Sequence, residues 1–354
     1  MRKVMIAAVW MALARCAIAQ PAPAADRPEN AIDRDRLMAQ VARLPTKRAA
    51  RGDADHRRGL AQTEEHLERS LKELGYAPVL VPLGWTVAGE RAFLEEHGGA
   101  PERRAQPADD ALATRVWHNI IVELPGRELP REVLVIGAHF DAAPGAPGAD
   151  DNGTGTAALL ELARVLRDRP MKRTVRLIFF NLEEIGLKGS AEYVKSIKPR
   201  LDAGDEAIIG MASLEMLGYF SDEPGSQRSP IPAIEGVFVP PTVGDFIALG
   251  TTKSHAGFVK RLDEAMRAAA PGLKTIAPDF LPDPPLVPPA LLRSDNAPFL
   301  FVGIPAVMVT DTSNFRNPHY HRRSDTVESL DAERYTLVVR GLAGAVHAIA
   351  GPME

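Results

Sequence analysis

Apolar residues fall into two kinds of run along this chain. VLVIGAHF and VRLIFFNL are nearly unbroken, as strands covered on both faces require. In RGLAQTEEHLERSLKELGY, by contrast, Leu60, Leu67, Leu71 and Leu74 recur at helical spacing, charge fills the opposite face and Gly75 supplies a stop. The same reading predicts strands over 77–83, 117–124, 132–140, 175–182, 207–217, 245–252 and 305–312, and further helices over 156–168, 189–197, 258–269 and 331–350. This is the pattern of an α/β sandwich, with helices packed on a mostly parallel sheet. Two stretches dense in proline, near 220–245 and 276–296, break the alternation. Such insertions in a compact domain read as the walls of a cleft.

The N-terminus has a different pattern. Arg2 and Lys3 precede VMIAAVWMALA, and Ala17-Ile18-Ala19 offers small residues where a signal peptidase reads. Residues 1–19 are therefore expected to be a signal peptide cleaved before Gln20, giving export to the periplasm or the extracellular space. Arg15 interrupts the apolar run, and the run is short for a membrane span. Arg15 also makes a poor lipoprotein site of Cys16, which is the only cysteine of the chain. The mature protein is then expected to lack both a thiol and a disulfide. Residues 20–34, rich in Pro, Ala and charge, read as a flexible lead-in, and residues 35–354 as a single domain.

With 45% hydrophobic and 25% charged residues among 354, the chain can bury a large core. Loss of Arg2, Lys3 and Arg15 takes the formal charge from −4 to −7, which argues against a nucleic-acid partner. No segment after the leader is long and apolar enough to span a bilayer. Neither composition nor pattern bears on the oligomeric state.

Chemistry concentrates at the ends of the expected strands, where functional groups gather in such sheets. His139-Phe140-Asp141 follows one, Glu183-Glu184 another and Glu215 a third. His319-Tyr320-His321 lies past a fourth, and Asp150-Asp151 sits in the intervening GADDNGTG. Taken alone, GADDNGTG reads as a tight turn. Imidazoles and carboxylates converging at the mouth of one sheet, however, repel and desolvate one another unless a cation compensates them. They are also the ligand set that zinc accepts.

In order along the chain, the motifs HFD, GADDNGTG, NLEEIGLKGS, SLEMLGY and PHYHRRSDT resemble those of the zinc-dependent aminopeptidases of family M28, over roughly residues 115–350. The resemblance implies a three-layer, phosphorylase/hydrolase-like zinc exopeptidase fold and two zinc ions per chain. Asp151 would bridge them, His139 and Glu215 would complete one site, and Glu184 and His321 the other. A metal-bound hydroxide would attack a peptide carbonyl at the N-terminal residue. Glu183 is left as general base, Tyr320 as a candidate donor to the oxyanion, and Asp141 as the group orienting His139. The resemblance also implies a cis peptide immediately after Asp151.

The match departs from the family in two places. Glu215 stands where better-known members carry Asp, and Asn296 where many carry His, with Ser294 and Asp295 beside it. His319 is expected at the rim, and the remaining histidines away from any site. Three other readings keep the fold and change the activity: a glutaminyl-cyclase-like enzyme with one zinc, a carboxypeptidase or dipeptidase, and a binding module without catalysis.

Overall fold

The computed structural model describes residues 27–96 and 111–353. The expected signal peptide, Cys16 and residues 20–26 of the lead-in lie outside the described residues. Eight strands form one sheet: β1 (Val79–Pro82), β2 (His118–Leu124), β3 (Leu129–His139), β4 (Arg173–Phe180), β5 (Ala207–Glu215), β6 (Ile247–Gly250), β7 (Thr275–Ile276) and β8 (Ala306–Thr310). Their order across the sheet is β1-β2-β4-β3-β5-β8-β6-β7. The central four, β4, β3, β5 and β8, are mutually parallel. Antiparallel pairings flank this centre, β2 with β4 on one side and β6 with β8 on the other.

The unbroken apolar runs are explained by burial on both faces. Leu134, Ile136 and Ala138 of β3 enter one core, together with residues of helices α1 (Arg34–Arg43), α2 (Ala54–Glu73), α4 (Gly155–Leu166), α6 (Ala256–Ala269) and α8 (Ala332–Ala350). The alternate residues Val133 and Val135 enter a second core, with α5 (Lys188–Asp202) and α7 (Asn296–Phe301). Successive strand side chains point to opposite faces, so one apolar run serves two layers of helices. The result is the three-layer arrangement.

Local signals set the helix starts. Asp53 caps α2 in a capping box with His56, and Asp331 caps α8 by accepting from the Arg334 N–H. Three helices and one strand escape the sequence pattern. In α1 only Leu37 and Val41 are buried, α3 (Val87–Glu96) buries none of its residues, and α7 is a six-residue helix that begins where a proline-dense stretch ends. β7 has two residues. The part of the lead-in that is described is packed: residues 28–31 form a 3-10 turn with Pro28 and Glu29 buried, and Glu29 lies against Gly344 of α8. Proline supplies the turn geometry here rather than flexibility.

Candidate metal centre

All four central parallel strands deliver a site residue at or beyond their carboxyl ends. His139 closes β3, Glu183 and Glu184 follow β4, Glu215 closes β5, and His321 lies in the loop after β8. Asp151 comes from the 149–154 segment between β3 and α4. His139 Nε2 lies 3.4 Å from Asp151 Oδ1 and 3.3 Å from Glu215 Oε2. His321 Nε2 lies 3.0 Å from Asp151 Oδ2 and 3.3 Å from Glu184 Oε2. Two groups of potential ligands result, each with its ligand atoms within 4.8 Å of one another, and they share Asp151. The two carboxylate oxygens of Asp151 face different groups.

The loop that carries Asp151 is held from several directions. Asp325 accepts the backbone N–H groups of Asp150 and Asp151 at 2.9 and 3.2 Å. The fully buried Asn152 donates to the Leu214 carbonyl at 2.7 Å and accepts from the N–H groups of Gly155 and Met216. Arg48, also buried, donates to the carbonyls of Phe140, Pro147 and Gly148. Gly148 takes φ +68°, and a Cβ there would sit 2.4 Å from the Asp151 carbonyl oxygen. Glycine is therefore required at that turn. The Asp151–Asn152 peptide is cis, as the resemblance implies. The Asn152-Gly153 pair, which reads as a turn in the sequence, is thus bonded to the end of β5 through Asn152 and to the Gly148 carbonyl through the Gly153 N–H.

Asp150, to which the sequence assigns no ligand role, ties three loops together. Its carboxylate accepts from the Gly218 N–H at 2.9 Å and from the Asn317 amide at 2.7 Å. It also faces the buried Asp311, whose carboxyl is pushed well above its ordinary range by burial and by the Asp150 charge. Asp141 does more than orient His139. Its backbone carbonyl lies 3.1 Å from His139 Nδ1, whereas its carboxylate oxygen lies 3.6 Å away. The carboxylate instead accepts the N–H groups of Glu183 and Glu184, both at 3.1 Å. Asp141 therefore positions the paired glutamates as well as the imidazole.

The electrostatics describe a site short of positive charge. Burial pushes the Glu183 carboxyl well above its usual range. Burial, with Asp151 next, takes Glu184 up to about 7. Burial opposes a charge on His139, yet the Glu183 and Glu215 carboxylates hold its proton well above the ordinary imidazole range. His321 is raised to about 10 by Asp151 and Glu184, again against burial. Protons gather where a cation would stand. Glu184 Oε2 faces His321, and Glu184 Oε1 is buried without a hydrogen-bond partner, so the protein alone leaves this carboxylate unsatisfied. The donor chemistry and this orphan oxygen fit zinc.

The surrounding side chains complete the picture. Ser294 Oγ donates to Glu215 Oε2 at 2.6 Å, whereas the Asn296 amide turns away to the Leu291 carbonyl. Asp295 is fully buried, and burial raises it to about 7. His319 pairs with Ser324 at 2.9 Å and belongs to neither ligand group. Tyr320 stacks on His321 with ring centroids 3.9 Å apart, and its oxygen accepts from Arg293 at 2.7 Å. Asp151, Glu183, Glu215 and His321 line a cavity of about 120 Å³. Its walls include Ile231 and Phe238 from one proline-dense stretch and Leu281 and Leu291 from the other. Sequence reasoning left Asp325 unassigned although it lies within the PHYHRRSDT motif, and Arg48, which precedes every motif, carries no local signal at all.

The model of peptidase family M28 matches residues 119–346. The chain is 31% identical over 255 residues to the uncharacterized protein YfbL of Escherichia coli K12, covering 68% of this chain and 73% of that one. It is 38% identical over 130 residues to aminopeptidase YwaD of Bacillus subtilis, covering 34% of this chain and only 29% of that protein. Among solved structures, an aminopeptidase from Aneurinibacillus sp. strain AM-1 superposes with a TM-score of 0.62 at 18% identity, covering 93% and 97% of the two chains. A glutaminyl cyclase from Porphyromonas gingivalis gives 0.60 at 17% identity, covering 90% and 99%. At these identities the two superpositions speak for the fold.

Proposed function

The chain belongs to peptidase family M28, and from that premise we propose that it is a zinc-dependent aminopeptidase that removes residues from the free N-terminus of peptides. One observation carries the reading: the two oxygens of Asp151 face two separate imidazole-and-carboxylate groups, an arrangement suited to two ions sharing one ligand. His139 and Glu215 would hold one, Glu184 and His321 the other. Zinc in such a site lowers the pKa of water towards neutrality and polarises a carbonyl.

The protein's own groups do the rest. Glu183 borders the cavity and lies outside both ligand groups. Its carboxylate takes a proton from the attacking water and returns it to the amide nitrogen of the leaving segment. Because a guanidinium only donates hydrogen bonds, the Arg293 contact leaves the Tyr320 hydroxyl proton free for the substrate carbonyl oxygen. Burial, with Asp151 next, raises the Tyr320 pKa, so that proton stays in place at neutral pH. The proline-dense walls exclude water around the bond. We place the protein outside the cytoplasm through residues 1–19; among the described residues no helix is long and apolar enough to cross a membrane.

The test is mass spectrometry of a mixed peptide pool incubated with purified residues 20–354, with and without a chelator. The pool includes N-terminally blocked peptides and peptides starting with Gln. Chelator-sensitive shortening from free N-termini alone is expected. Loss of ammonia from the Gln peptides would instead favour the glutaminyl-cyclase reading, which the shared fold supports. Glu183→Gln is expected to lower kcat by roughly 10²–10⁴-fold with zinc content unchanged, and a near-normal rate would remove Glu183 from the mechanism.

A further inference from the structure

Two arginines border the same cavity, Arg228 from one proline-dense stretch and Arg293 from the other. Both are tied to Asn314. Arg228 donates to its backbone carbonyl, and Arg293 donates to its side-chain oxygen at 2.7 Å while also donating to Tyr320. Among the described residues, no carboxylate forms an ion pair with either guanidinium. The only carboxylates lining the cavity are Asp151, Glu183 and Glu215 of the candidate metal centre. Two like charges held at one residue repel each other, and each has N–H groups to spare beyond those bonded to Asn314 and Tyr320. An anion relieves the repulsion, and the planar fork of a guanidinium matches a carboxylate.

Position narrows the ligand. Arg293 reaches the metal-facing wall through one side chain, Tyr320, whose ring lies on that of His321. Arg293 stands 2.7 Å from the Tyr320 oxygen and the Tyr320 and His321 rings lie 3.9 Å apart, so an anion at the arginines lies within a few residues, at about 3.3–3.6 Å each, of the bond that is cut. We infer that Arg228 and Arg293 form an anion subsite for a carboxylate of the substrate, and that the enzyme favours short peptides whose free C-terminus lies within that reach. The inference rests on the exopeptidase reading above. A substrate's acidic side chain offers the same chemistry, and the experiment separates the two sources.

The tripeptide cleaved fastest in the pool is compared with its C-terminal amide, using the zinc-loaded enzyme. Amidation is expected to lower kcat/KM by about 10–100-fold, as loss of charge-assisted hydrogen bonds does, mainly by raising KM. In the Arg228→Gln, Arg293→Gln double variant the acid-to-amide ratio is expected to collapse to within about twofold of one; any effect of losing the Tyr320 contact acts on both peptides and cancels. An amide carrying Asp in place of its second residue, read against the Asn peptide, assigns the subsite to an acidic side chain if Asp alone restores the rate. A wild-type ratio near one with both peptides cleaved, and no gain from Asp, overturns the inference while leaving the peptidase reading intact. A full ratio that survives in the double variant also overturns it. If nothing in the pool is cleaved, the peptidase reading fails first and the subsite falls with it.

Discussion

The two halves of the candidate metal centre are built differently. In the inner half, His139 and Glu215 close two adjacent parallel strands, β3 and β5, and the imidazole is 1% exposed. In the outer half, Glu184 and His321 come from loops beyond β4 and β8, and the His321 side chain is 39% exposed. Strand register fixes the inner ligands, while the outer ones rely on hydrogen bonds such as those from the Glu183 and Glu184 N–H groups to Asp141. Rigid elements hold ligands more closely than loops do. The outer half should therefore bind its ion more weakly and exchange it faster.

The largest effect is expected at the residue common to both halves. Asp151→Asn should lower kcat/KM by on the order of 10³-fold or more, with metal content falling in both halves. Retention of two equivalents of zinc would break the picture of a shared ligand. Next comes the contrast itself. His321→Ala is expected to lose one equivalent of zinc and keep its thermal stability, because its side chain already meets solvent. His139→Ala should lose metal and stability together, since it leaves buried Glu215 and Asp151 facing each other without a cation. Equal behaviour of the two variants, followed by metal analysis and thermal melting, would erase the distinction between the halves.

Acid should weaken both halves, since His139 also holds its proton well above the ordinary range, and the outer half more steeply once Glu184 is protonated as well. A ligand must be deprotonated to bind a metal, whereas the metal-free site holds protons on His321 up to about pH 10 and on Glu184 up to about 7. Zinc affinity of the outer half is therefore expected to fall about tenfold per pH unit from 10 down to 7, and about a hundredfold per unit below 7. Competition with a chelator across that range measures both slopes, with His321→Ala, which keeps only the inner ligand group, as reference. The smallest effect is expected from Asp325→Asn. The amide still accepts one backbone N–H but no longer offers two carboxylate oxygens to the Asp150 and Asp151 N–H groups. A loss in metal affinity of about 10–100-fold, typical of a group supporting a ligand, is expected with the fold intact.

Some of this was legible along the chain. The apolar runs gave the central strands; His139 and Glu215 close two of them, Glu183 and Glu184 follow a third, and His321 lies in the loop after the fourth. Their pairing into two groups was implied by the family resemblance, and the distances between the side chains agree with it. The hydrogen bonds that hold the ligands were not legible. The resemblance implied that Asp141 orients His139, but nothing in the sequence shows that its carboxylate also accepts the N–H groups of Glu183 and Glu184, more than forty positions on. The Pro28–Ala31 turn read as loose because proline signals irregular backbone without saying whether that backbone is packed.

What the sequence determined by itself was therefore the order of the longer strands and helices, the residue types at the strand ends and the doubly buried character of the sheet. All of these follow from periodicity within a dozen residues. Only the tertiary structure decided that Arg48 and Asp325 grip the Asp151 loop from opposite ends of the chain, that Asp150 binds the loops around Gly218 and Asn317, and that two proline-dense stretches bring Arg228 and Arg293 to one asparagine. The physical reason is one of range. Burial imposes a repeat on neighbouring residues, whereas a hydrogen bond between positions a hundred or more apart, such as Arg48 with Gly148 or Asp325 with Asp150, leaves no periodic trace in either segment.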